Sequence, residues 1–168
     1  MPVQKKKTKK TKKGRRTVIE GYCSYLIEIL KAKVRYSLSE NRDKKFSVGT
    51  YSEYSAIEII GNVLEPPKLA GREINCTLYG DRGHDARLNN PEKYADDRYA
   101  LVGHITAKKD YCSFTGWLPA SMLFPIGQMI LAKELRYFDL LGKPLFRNEA
   151  NIHNVSIINE PEVDPDLE

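Results

Sequence analysis

The sequence predicts a mainly β protein: a single antiparallel sandwich or barrel with one or two short helices, a disordered basic arm before it and an acidic tail after it. Three observations lead there. Apolar side chains recur mostly at every second residue, the period of a strand with one buried face. Clusters of Gly, Pro, Asn and Asp divide these stretches into short pieces at regular intervals. Neither end has the apolar residues that a core needs. With 168 residues, 41% of them hydrophobic, the chain is long enough for one core. Residues 1–16 read as the arm, 17–158 as the globular domain and 159–168 as the tail. No internal repeat is visible.

Between Thr17 and Ile29, the residues Ile19, Tyr22, Leu26 and Ile29 stand three or four apart, which predicts a short helix. Residues 30–39 alternate strictly, with Leu30, Ala32, Val34, Tyr36 and Leu38 on one face of a strand. Residues 40–43 read as a turn, and Phe46–Val48 begin the return. Ala56–Leu64 and Arg72–Tyr79 are strands joined by the Pro/Gly loop 65–71, and together they read as a hairpin. Residues 80–98 are almost devoid of apolar side chains and read as one long loop. Strands resume at Tyr99–Lys108 and Phe114–Leu118. Residues 128–141 have the composition of a helix, yet the turn-like 139–144 favours a hairpin from Ile130–Phe138 into Leu145 and Phe146. Ala150–Ile158 is the last strand, and its alternation changes phase near Asn154, as a bulge would make it do.

Charge is distributed unevenly. The chain carries 27 bases and 22 acids, a net of +5. Lys5, Lys6, Lys7, Lys9, Lys10, Lys12, Lys13, Arg15 and Arg16 supply nine of those bases within the first sixteen residues, without one acid. The remaining 18 bases face all 22 acids, a net of −4 from residue 17 onward. Such an arm gains affinity for a phosphate backbone by releasing condensed counterions, and it cannot read sequence by itself. The expected partner is nucleic acid, bound non-specifically. The contrasting expectation is a solubilising tail with no specific partner.

Cys23, Cys76 and Cys112 are too few and too widely spaced for a disulfide framework or a cysteine-rich zinc site. Reduced thiols in a cytoplasmic protein, or a nuclear one in a eukaryotic host, are the expectation. Arg15 and Arg16 look like a twin-arginine signal, but Glu20, Glu28 and Lys31 interrupt the apolar stretch that should follow. Residues 111–132 form an uncharged run of 22 residues. Pro119 and Pro125 would break a spanning helix, so the run reads as two buried elements joined by a turn, with no membrane span.

Three places can carry binding or chemistry. The arm is the first. The second is the polar face of residues 30–39, where Lys31, Lys33 and Arg35 would extend the arm's footprint onto the body, with Tyr51 and Tyr54 near enough in sequence to stack on bases. The same lysines also suit an edge strand protected against sheet-to-sheet pairing. The third is the 80–98 loop, where Asp81, His84, Asp85, Asp96 and Asp97, with His104 beyond, mix imidazole and carboxylate. Its D-x-x-H-D spacing matches no metal motif, and recognition of a protein partner is the expected role. Phosphate-loop, dinucleotide and nucleophile-elbow motifs are absent from the sequence. Cys112 and His104 are read as separate structural residues, Trp117 as a core or interface anchor, and His153 as a half-exposed strand residue.

These readings point to a non-enzymatic accessory module whose arm contacts nucleic acid while the body binds a protein or other partner. No cofactor or metal is expected. The alternatives are a small hydrolase, with or without metal assistance, using the 80–98 loop, and a structural subunit of a larger assembly.

Overall fold

The computed structural model describes residues 21–40, 51–90, 92 and 102–161. Seven strands and two helices appear among them: β1 (Cys23–Glu40), β2 (Tyr51–Val63), β3 (Glu73–Asp81), α1 (Arg82–Asn89), β4 (Gly103–Lys108), β5 (Tyr111–Pro119), α2 (Ala120–Leu131), β6 (Tyr137–Gly142) and β7 (Glu149–Ile158). The strands close into a barrel in the order β1-β2-β3-β5-β4-β7-β6. The mainly β reading holds, with one exception to its antiparallel pattern: β3 and β5 run parallel. They end on the same rim of the barrel, and a helix follows each of them directly.

The interior is built by alternation. Ile57, Ile59 and Val63 of β2, Ile74, Cys76 and Leu78 of β3, and Phe114 of β5 are buried, as are Ile105, Phe138, Leu140 and Ile152. α2 closes one end of this barrel. Its Leu123 and Ile130 are buried, and a Cβ on Gly127 would lie 2.8 Å from Val34 Cγ2, so the helix backbone is in close contact with the wall. Gly103 and Gly116 face each other across β4 and β5, and a Cβ on either would collide with the Phe114 ring, at 2.6 and 2.7 Å. The ring fills the space that the two missing side chains leave.

The 56–64 and 72–79 hairpin is present as β2 and β3. The phase change near Asn154 is also real: Leu141 pairs with Asn154 and Gly142 with Ile152, leaving His153 as the extra residue of a bulge. The uncharged run 111–132 divides into β5 and α2, and no helix of the described residues is long and apolar enough to cross a membrane.

Four expectations are corrected. Cys23–Ile29 is strand and not helix; residues 17–20 lie outside the described ones. Tyr25, Leu26 and Ile27 are all buried, and a strand covered on both faces loses the alternation that would have identified it. Strict alternation also breaks at Leu30, the unpaired residue of a second bulge, which is exposed. Tyr36 and Leu38 run beyond the barrel and are exposed too, with Tyr36 against Phe124 of α2.

Residues 128–141 are neither a single helix nor a hairpin. α2 ends at Leu131, a tight turn with Lys133 at φ 62 follows, and Tyr137–Gly142 is strand, so the expected turn at 139–142 belongs to β6. Residues 80–90 are not loop: Gly80 and Asp81 finish β3, and Arg82–Asn89 is helix. That helix buries none of its residues, so no apolar period announced it. Asp96, Asp97 and the start of the expected 99–108 strand lie outside the described residues, as do Phe46–Val48.

Candidate nucleic-acid interface

The outer wall of β1, β2, β3, β5 and β4 presents its side chains in rungs. Because Ile57, Ile59, Cys76, Leu78, Phe114 and Ile105 point inward, their neighbours point outward. One rung runs Lys31, Ile60, Asn75, Ser113, Thr106. The next runs Lys33, Glu58, Thr77, Thr115, His104. The third runs Arg35, Ala56, Tyr79, Trp117. Lys31, Lys33 and Arg35 therefore do share one exposed face of β1, as their alternation predicts. Across β1 to β3 this wall holds an open depression of about 350 Å³, lined by Lys31, Lys33, Glu58, Ile60, Asn75 and Thr77 among others.

Electrostatically the wall is positive along β1. Arg35 Nε lies 3.0 Å from Glu58 Oε1, an ion pair with both partners partly in solvent. Lys31 and Lys33 make no ion pair among the described residues. At both lysines β1 pairs with β2 alone, because β6 covers its other flank only along Cys23–Glu28, so they also suit a protected edge.

Aromatic rings gather at one end of the wall. Tyr54 and Tyr79 meet edge to face at 5.9 Å, and Trp117 and His104 meet at 6.4 Å with their planes 32° apart. Tyr79 and Trp117 are direct partners on the parallel strands β3 and β5. Ala56 is fully buried although it faces outward, so the larger side chains beside it lie down across the strand. Burial, then the neighbouring Tyr79 and Glu58, push the Tyr54 hydroxyl above its ordinary pKa, against a smaller downward pull from Arg35. Trp117, expected in a core or interface, stands half-buried on this outer wall. His104 is here as well, on the opposite side of the wall from the buried thiol of Cys112, so the two are separate residues.

No family model, curated protein or solved structure matches this chain.

The D-x-x-H-D stretch has a structural explanation. Asp81 is the N-cap of α1: its Oδ1 accepts from Gly83 N at 2.7 Å, and its Oδ2 is 2.6 Å from His84 Nδ1. Asp85 serves the other helix. α2 begins behind Pro119 with no side-chain cap of its own, and the Asp85 carboxylate accepts from both the backbone N–H and the hydroxyl of Ser121 in its first turn. One short segment thus caps two helices that start on the same rim. His84 Nε2 is buried without a partner among the described residues. Those residues contain no group of three His, Cys, Asp or Glu side chains placed to hold a metal.

Burial pushes the Asp81 carboxyl up, but the hydrogen bonds from His84 and Gly83 outweigh it and hold the group below its ordinary value. An aspartate in an unfolded chain titrates near about 3.9. The folded value is lower, so this stabilisation is complete above that pH and is lost as pH falls through the folded value. Asp81→Ala is expected to cost about 1 kcal/mol at neutral pH, read by urea unfolding, because α1 loses its cap. The difference between variant and wild type should shrink in acid. A gap that persists unchanged well below pH 3 would show that the carboxylate is not its source.

The nine cations of the arm lie outside the described residues. What sequence reasoning missed is the row of Tyr79, Trp117 and His104 beside Tyr54. Each was legible as outward from its alternation, but their adjacency depends on strand order. Tyr51, named with Tyr54 as a stacking residue, has no described side chain.

Proposed function

We propose that this chain is a non-enzymatic nucleic-acid-binding module, in which the lysine-rich arm contacts phosphates non-specifically and the outer wall of the barrel extends that contact. The observation that carries the reading is the exposed cationic face of β1, where Lys31, Lys33 and Arg35 point outward together. The nine-cation arm precedes that strand in the sequence. Glu58 pairs with Arg35 and stands beside Lys33 on its rung, so one acid faces three bases there. The capping roles of Asp81 and Asp85 give those two carboxylates a structural explanation, which weighs against the hydrolase alternative.

The protein-binding task falls to the reverse side of β1. There Tyr36 and Leu38, with Phe124 of α2 in ring contact with Tyr36, stand 40% or more exposed. Exposed apolar side chains of that kind suit an interaction site, which joins the 80–98 segment as a candidate side facing a protein.

The test is charge reversal on the wall. Lys31→Glu together with Lys33→Glu should weaken binding to labelled DNA and RNA and reduce the salt dependence of the binding constant. Two lost phosphate contacts correspond to a slope change of about 1.4 to 1.8 in log K against log salt. An unaltered slope in a folded double variant would remove the wall from the interface.

A further inference from the structure

We infer that the row Tyr54–Tyr79–Trp117–His104 is a stacking platform for the bases of single-stranded nucleic acid. This rests on the proposed nucleic-acid reading and makes it narrower: it chooses single strands over duplex and names where the bases sit. The four residues come from β2, β3, β5 and β4, which are consecutive neighbours in the barrel wall. All four point outward, and each is exposed or half-exposed. Tyr79 and Trp117 share a rung while Tyr54 and His104 stand one rung to either side, so the rings form a diagonal band longer than the roughly 14 Å of three interstrand steps, enough for a few nucleotides.

The chemistry on either side of the row selects the ligand. A flat ring with solvent on one face gains by receiving another flat, apolar ring, and bases supply such faces without regard to sequence. In a duplex those faces are already occupied by neighbouring base pairs, so only an unpaired strand can use the row. Arg35 lies on the same rung as Tyr79 and Trp117, with Lys33 and Lys31 on the two rungs beyond. Cations flanking rings on one side suit a strand whose bases lie on the aromatics and whose phosphates run toward β1. An uncharged sugar chain would use the rings but not the lysines. Between them, Thr77, Thr115, Asn75 and Ser113 offer donors and acceptors to base edges or sugars.

Trp117 is the only tryptophan, so its fluorescence reports on the row alone. The full chain is titrated with a short oligothymidylate, with a duplex of equal length and with a neutral oligosaccharide. Oligothymidylate is expected to quench Trp117. The duplex should bind through the cations and leave the emission nearly unchanged, and the sugar should do neither. Measured by anisotropy of the labelled strand, Tyr79→Ala should weaken single-strand binding by about tenfold, the loss that one base–aromatic stack predicts, while Tyr79→Phe should keep it. If the single strand binds with salt sensitivity but neither quenches Trp117 nor responds to Tyr79→Ala, the platform is wrong and the electrostatic reading survives. If neither nucleic acid binds, both fall. Quenching by the sugar instead would overturn the choice of ligand. The wild-type quenching result stands even if Tyr79→Ala fails to fold.

Discussion

Deleting residues 1–16 is expected to abolish most of the affinity for nucleic acid and to flatten its dependence on salt. The physical reason is the segregation of charge. With the arm the chain carries a net of +5; without it, 18 bases face 22 acids and the remainder is at −4. A body of net negative charge is repelled by a polyphosphate at long range, and the few cations on β1 must act against that field. If all nine arm cations displaced counterions, log K would fall with log salt at a slope of about −8 on duplex DNA and about −6 on a single strand. A linear cationic segment realises part of this, so a drop of several units in slope is the measurable change. Titrations of labelled strands between low and physiological salt, with the full chain and with a chain beginning at Thr17, give both numbers. Equal slopes would end the proposal.

The converse deletion checks the sign of the same argument. Removing residues 159–168 takes away five acids and raises the net charge from +5 to +10, so binding should tighten and not weaken.

The second large effect is expected in the core. Phe114→Ala should destabilise the barrel by about 3 to 5 kcal/mol. The ring is fully buried, packs against Phe138 at 6.2 Å between centroids, and fills the space opened by Gly103 and Gly116. Two glycines opposite one another mean that those two positions offer no side chain to take up the lost volume, so much of the cavity should persist. A domain of this size has only about 5 to 15 kcal/mol to lose, so the variant should unfold at much lower urea. Gly116→Ala approaches the same fault from the opposite direction, since its Cβ would lie 2.7 Å from the ring. Combining Gly116→Ala with Phe114→Leu should cost less than the sum of the two single changes, because the smaller side chain makes room for the methyl. Strict additivity would mean that ring and glycine do not share the space. The effect reaches the site as well. Trp117 and His104 stand on the strands that Phe114 holds together, so loosening β4 and β5 should also blunt the response of tryptophan fluorescence to a bound strand.

Much of the barrel wall was legible in the sequence because alternation is local. Isoleucines at 57 and 59, followed by Ile74, Cys76 and Leu78, need only their own neighbours to declare an inward face. The same reading placed Lys31, Lys33 and Arg35 together on the outside. It failed where burial came from two sides. Tyr25, Leu26 and Ile27 are covered on both faces of β1, and the resulting spacing imitates a helix. It failed again at Arg82–Asn89, a helix without an apolar stripe, held by caps and by its seat beside α2. There Asp81, His84 and Asp85 stood out as a mixed cluster, while the helix starts that the two acids cap were invisible.

The sequence by itself determined the cationic leader, the acidic end, the strand-dominated body and the outward lysines of β1, all of which depend on residues adjacent in the chain. Only the tertiary structure decided that the sheet closes, that β3 lies parallel to β5, and that Tyr54, Tyr79, Trp117 and His104 form one row. Those facts depend on which strands become neighbours. That choice is made by the packing of buried side chains far apart in sequence, among them Phe114 against Phe138, and local periodicity carries no record of it.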